Sequence, residues 1–164
     1  MHYVFLVFFP VLVAYAAVTD FLTMTISNRL TLALAAGFLV LAPFSGMNWP
    51  VFGWSLAGAG LVFAVGFGTF AAGWVGGGDV KFATVVALWL GWDHLLEYAV
   101  LFSLYGGLLT LTALSLSKFI EPLPILQVGF LNRFNQHRRV PYGIALSVAA
   151  LQLFPDTVWL KLAA

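Results

Sequence analysis

Two aspartates stand apart from the other charges of this 164-residue chain. Asp20 follows the apolar run Tyr3 to Val18, and Asp79 follows three glycines in GWVGGGDVKF, ahead of another apolar run. Two carboxyls held within about 3 Å cannot both ionise easily, so they share a proton. The ionised member can take a proton from water, while the protonated member polarises a peptide carbonyl and later helps protonate the leaving amine. Such a pair titrates as a unit, and it requires no metal, thiol or cofactor. Each aspartate alone also has a plainer reading. Asp79 after glycines suits the N-cap of a helix, and Asp20 suits a helix-end carboxylate in a polar loop. An N-cap and a catalytic role are compatible, because a helix start fixes a carboxylate rigidly.

The elements that must position these groups are set by composition. Hydrophobic residues make up 62% of the chain and charged residues only 8%, against about a quarter charged in an ordinary soluble domain. That composition cannot furnish the polar surface of a soluble fold, so the bilayer is the expected solvent and the fold class is all-α. A net charge of +1 gives no bulk attraction for polyanions, which argues against a nucleic-acid partner. The absence of cysteine removes disulfides, thiol catalysis and cysteine zinc sites. The N-terminus lacks the basic start and cleavage site of a signal peptide, so its apolar run reads as a retained membrane helix.

Apolar stretches predict about six transmembrane helices, near residues 3–19, 30–43, 51–73, 80–92, 97–117 and 140–155. Crossing the hydrocarbon takes about 20 residues, so the second, fourth and sixth are short and also read as re-entrant or interfacial segments. Alternating spans put Arg29, Lys81, Lys118, Arg133, Arg138 and Arg139 on one side and only Lys161 on the other. By the positive-inside rule the first side is cytoplasmic, and both termini lie outside. Asp20 and Asp79 fall on that same side. If Asp93 marks the outer end of the fourth span, Asp79 lies about 21 Å inward, in a partly buried recess open to water. An ionisable group at such depth is a functional candidate by default.

Other features carry less. Trp49, Trp54, Trp89, Trp92 and Trp159 gather near outer ends and Trp74 near an inner one, as interfacial tryptophans do. Gly58, Gly60, Gly66 and Gly68 in the third span either permit close helix approach or reflect the general frequency of glycine in membrane helices. Residues 118–139 read as a basic cytoplasmic connection, with an amphipathic helix on the anionic leaflet as one reading and a solvated loop as the other. Glu121 sits in it, while Asp93, Glu97 and Asp156 fit outer loops and edges. His2, His94 and His137 are scattered, so no metal site is expected. Ser103, Ser115 and Ser147 have no nearby base.

Gly76, Gly78 and Asp79 form a GxGD motif with Lys81 two residues on. Upstream, Asp20 closes the first helix and Ile26-Ser27-Asn28 precedes the second; downstream, Pro141-Tyr142-Gly143 opens the last span. Taken in this order over nearly the whole chain, the set resembles the prepilin peptidase family of GxGD intramembrane aspartyl proteases, and its small size is similar to the subgroup serving Flp/Tad-type pili. The resemblance implies a single transmembrane peptidase domain over residues 1–164 in the bacterial cytoplasmic membrane, cleaving the short basic leader of a prepilin at the cytoplasmic face. It implies Asp20 and Asp79 as the catalytic pair. It implies motif or substrate-contact roles for Gly76, Gly78, Lys81, Asn28, Pro141, Tyr142 and Gly143, the glycines letting backbone pass close to substrate. The chain departs from the family at Ser27, where proline is frequent, and at Phe21 to Thr25, which lacks the usual basic residues. It also lacks the cysteine zinc segment of many members and any glycine-rich nucleotide fingerprint, so proteolysis without methylation is expected.

Lys81 reads equally as a ligand of carboxylate or substrate and as a topology residue. Arg138 and Arg139 read as partners of an acidic substrate residue or as positive-inside charges. Two other functions fit the same aspartates: a small proton- or cation-coupled transporter, and a non-catalytic membrane subunit in which they cap helices. Oligomeric state is not set by the sequence.

Overall fold

The computed structural model describes residues 4–120 and 140–163. Every regular element among them is helical: α1 Val4–Thr23, α2 Asn28–Phe44, α3 Trp49–Ala71, α4 Gly77–Leu90, α5 Leu95–Ile120, α6 Tyr142–Leu153 and α7 Val158–Ala163, with 3-10 turns at Trp92–His94 and Phe154–Asp156. Leu6–Thr23, Trp49–Ala71, Trp92–Ser115 and Tyr142–Leu162 are long and apolar enough to cross a membrane. The apolar α2, at 17 residues, and α4, at 14, are shorter. The chain is therefore an all-α polytopic membrane protein. In lipid, helices are the natural solution because each satisfies its own backbone. Several side-chain hydroxyls bond back to their own helix: Thr69 donates to Gly66 O at 2.8 Å, Ser103 to Ala99 O at 2.6 Å and Thr110 to Gly106 O at 2.7 Å.

α4 is the hub. It packs on α3 and α2, and α6 packs on α1, α5 and α4. At 14 residues α4 is only about 21 Å long, and it can be so short because its neighbours bury it: Val80, Phe82 and Val86 through Leu90 are all buried. The core of the bundle is aromatic. Trp89 packs tilted on Trp159 with centroids 4.7 Å apart and lies 5.1 Å from Phe9, and Phe38 meets both indoles edge-on. The indole N–H groups are satisfied across helices, Trp89 Nε1 by Leu34 O at 3.0 Å and Trp159 Nε1 by Trp89 O at 2.8 Å.

That core corrects one expectation. Trp89 and Trp159 are buried, not interfacial; hydropathy position alone does not distinguish a belt tryptophan from one that turns inward and finds an acceptor. Trp49, Trp54, Trp74 and Trp92 are exposed, as interfacial residues are.

The glycines of α3 divide. A Cβ on Gly66 would stand 2.7 Å from Val80 Cγ1 and one on Gly58 2.9 Å from Leu95 Cδ1, whereas Gly60 and Gly68 have nothing within 4 Å. Close approach therefore needs two of the four. The first helix runs past the predicted end at 19 to Thr23 and stops where Met24 takes φ 53. The sixth span breaks after Leu153 into a 3-10 turn and α7. The readings placed on residues 121–139, including those of Glu121, Arg133, His137, Arg138 and Arg139, lie outside the described residues, as does His2.

Candidate active site

Four chain segments converge at one end of the bundle: the last turn of α1, the α1–α2 connection, the first turn of α4 and the first turn of α6. Asp20 sits one turn from the end of α1, its carbonyl accepting from Met24 N–H at 2.8 Å. Its side chain is turned inward and only 3% exposed. Asp79 occupies the third position of α4 and is half-buried. The N-cap of α4 is Gly76, not Asp79, so the capping reading of this carboxylate gives way to one in which it projects from the first turn. A Cβ on Gly76 would lie 3.0 Å from Asp79 Oδ2; the motif's first glycine leaves room for the carboxyl itself.

Asp20 and Asp79 lie close enough for the charge of one to act on the other. The chain between them, residues 21–78, carries α2 and α3. The start of α6 completes the enclosure. The backbone N–H groups of Gly143 and Ile144 face the Asp20 carboxyl, as the positive end of a helix favours. A Cβ on Gly143 would stand 2.6 Å from Asp20 Oδ2 and 2.9 Å from Ile26 Cδ1. Only glycine fits there. Ile26 also touches the α4 turn, its carbonyl oxygen lying 3.8 Å from a Cβ built on Gly78. The residues predicted from Ile26, the GxGD motif and the Pro141-Tyr142-Gly143 element thus meet around one carboxylate pair.

The other predicted residues take distinct places. Lys81 Nζ donates to Asn28 Oδ1 at 3.1 Å, which ties the start of α4 to the start of α2 beside the pair. Ser27, where the family often carries proline, caps α2 by accepting from Arg29 N–H at 3.2 Å; this is a local reason for serine at that position. Pro141 is fully buried at the N-cap of α6. The ring of Tyr142 packs where Gly106 of α5 lacks a side chain, and its hydroxyl lies 3.4 Å from Thr110 Oγ1.

Asp79 also lines a cavity of about 680 Å³ between α3, α4, α5 and the start of α6, together with Thr69, Ala83, Ala99, Phe102 and Tyr142. Asp20 does not line it; the Gly143 turn covers that carboxyl. Sequence reasoning did not find this cavity, because its walls are ordinary apolar residues of spans whose facing is not written in hydropathy. It also passed over Tyr98, a fully enclosed phenol within the field of Asp79. Among the described residues the hydroxyls of Tyr98 and Ser147 and Asp20 Oδ2 are buried without a hydrogen-bond partner.

Chemically, two carboxyls within each other's electrostatic reach, one of them half-open, can divide the work of general base and general acid on a water molecule. The Asn28–Lys81 bond and the α6 turn hold the segments that carry them. The model of a family described as the type IV leader peptidase family matches residues 7–111. That stretch includes both aspartates and stops short of Gly143. Set against curated proteins and against solved structures, the chain gives no match.

Proposed function

The chain belongs to the type IV leader peptidase family, and from that premise we propose that it is an intramembrane aspartyl endopeptidase that removes the short leader of prepilin-like proteins, of the Flp or type IV kind, at the cytoplasmic face of the bacterial inner membrane. The observation that carries the reading is the convergence of Asp20 and Asp79 from distant helices, with Gly143 shaped to the Asp20 carboxyl. A helix cap or a topology charge has no need of a second carboxylate brought to it.

In this mechanism the substrate enters as a single transmembrane helix whose N-terminal segment is extended at the membrane surface, since a helical peptide bond is shielded by its neighbours. One aspartate, ionised, removes a proton from water as the oxygen attacks the scissile carbonyl. The other, protonated, donates to the carbonyl oxygen. Collapse of the tetrahedral intermediate breaks the C–N bond as a proton passes to the leaving amine. Arg29, Lys81 and Lys118 stand at the aspartate end of their helices and Lys161 at the opposite one, which supports a cytoplasmic site by the positive-inside rule.

The test is co-expression with a prepilin-like reporter, a short basic leader followed by one hydrophobic helix, and mass measurement of the product. We expect a product shortened by the leader and carrying no added methyl group. An unshortened reporter, or ion flux through the chain reconstituted without any leader removal, contradicts the proposal and favours the transporter reading.

A further inference from the structure

We propose that the cavity beside Asp79 is the docking groove for the substrate's transmembrane helix, and that it sets which bond reaches the aspartates. The inference rests on the peptidase reading above and adds the place and register of the substrate.

Three features of the groove point to a helix that carries a polar segment at one end. The first is its graded lining. The oxygen-bearing side chains, Thr69, Asp79 and Tyr142, all lie at the aspartate end, and the remainder is apolar out to Trp92 and Leu96 at the other. A hydrophobic helix preceded by a polar scissile segment has that same gradient. The second is its length: from Asp79 to the end of α4 at Leu90 is about 16 Å, with Trp92 of the following turn extending the lining, enough to seat about three turns of a membrane helix. The third is its floor. Ala83 and Ala99 are small, and small residues let a partner backbone approach closely in lipid, where packing rather than hydrophobicity drives helix association. A volume of about 680 Å³ takes a ridge of side chains rather than a whole helix, as helix packing does. Asp79 itself lines the groove, so a helix seated in it delivers its polar end to that carboxyl.

The experiment exploits the absence of cysteine from the chain. Single cysteines are placed in the groove by Ala83→Cys, Ala99→Cys and Leu96→Cys, and on lipid-facing surfaces outside it by Val11→Cys and Leu39→Cys, both exposed. Each is paired in membranes with a reporter carrying a single cysteine at successive helix positions, the two thiols are oxidised with a copper–phenanthroline catalyst and dioxygen, and disulfide formation is read as an upward shift by the mass of the reporter on a non-reducing gel. The expected result is register-dependent crosslinking in the groove: Ala83→Cys with reporter positions nearest the cleaved bond, and Leu96→Cys with positions about two helical turns farther out. No shift is expected from Val11→Cys or Leu39→Cys. Leader removal by the unsubstituted chain, with no groove crosslink or with equal crosslinks from the outer surfaces, overturns the groove while leaving the peptidase in place, and leaves a lipid chain as its occupant. No leader removal at all overturns both.

Discussion

At the scale of single residues the site depends on what is missing as much as on what is present. Gly143 has room for a hydrogen and nothing more, since a methyl group there would overlap Asp20 Oδ2 at 2.6 Å. Gly143→Ala should therefore displace either the carboxyl or the turn, and misplacement of a catalytic group by about 1 Å costs about 100-fold in rate. The expected outcome is a loss of leader removal on that scale with the protein still inserted. Gly107→Ala, in a position with nothing within 4 Å, should cleave normally in the same assay. Lys81→Met tests the neighbouring hydrogen bond. Because Lys81 holds Asn28 at an exposed position, we expect a partial loss of cleavage, matched by Asn28→Ala and not deepened in the double variant. An additive double loss would show that Lys81 acts directly on substrate.

At the scale of elements the aromatic hub makes its own predictions. Trp89 joins three helices through its ring and its N–H. Trp89→Phe keeps most of the packing and leaves Leu34 O without its donor; interhelical hydrogen bonds in membranes are worth about 0.6 to 2 kcal/mol. A measurable drop in the thermal stability of the detergent-solubilised protein should follow. Gly66→Leu, which drives a side chain into Val80, should lower stability further, while Gly60→Leu faces open space and should leave it unchanged. These contrasts also show where the sequence was legible. The apolar helices and the two aspartates were readable, because span length and charge placement are dictated by the bilayer itself; the Pro141-Tyr142-Gly143 element was readable only through the family resemblance. Which glycine of α3 faces a neighbour, which tryptophan turns inward and where the groove runs were not. Helices apolar on every side carry no stripe to reveal their facing, and nothing in hydropathy separates Trp89, buried with an acceptor at Leu34 O, from the exposed Trp92 three residues on. Asp79 was legible as a carboxylate at a helix start, but its place inside the first turn depended on Gly76 taking the cap.

At the scale of the whole molecule, a bundle nearly free of charge brings its two candidate carboxylates to one end and shelters them unequally. Asp20 is enclosed by the α6 turn, and Asp79 opens on the groove. The orientation of that end is open to direct test. If the positive-inside reading holds, a periplasmic reporter fused after Ala163 is active and a cytoplasmic one is silent, while fusions between α3 and α4 give the reverse. The opposite pattern would place the aspartates outside the cell, away from a cytoplasmic leader.

The central claim, that Asp20 and Asp79 act together on a peptide bond, comes down to one comparison. Leader removal from the prepilin-like reporter is followed with the unsubstituted chain, Asp20→Asn and Asp79→Asn, each checked for equal membrane insertion. Complete processing by the first and none by either variant is expected, because asparagine retains the shape but can neither accept the proton nor return it. Processing at the unsubstituted rate by a properly inserted Asp79→Asn protein would contradict the claim.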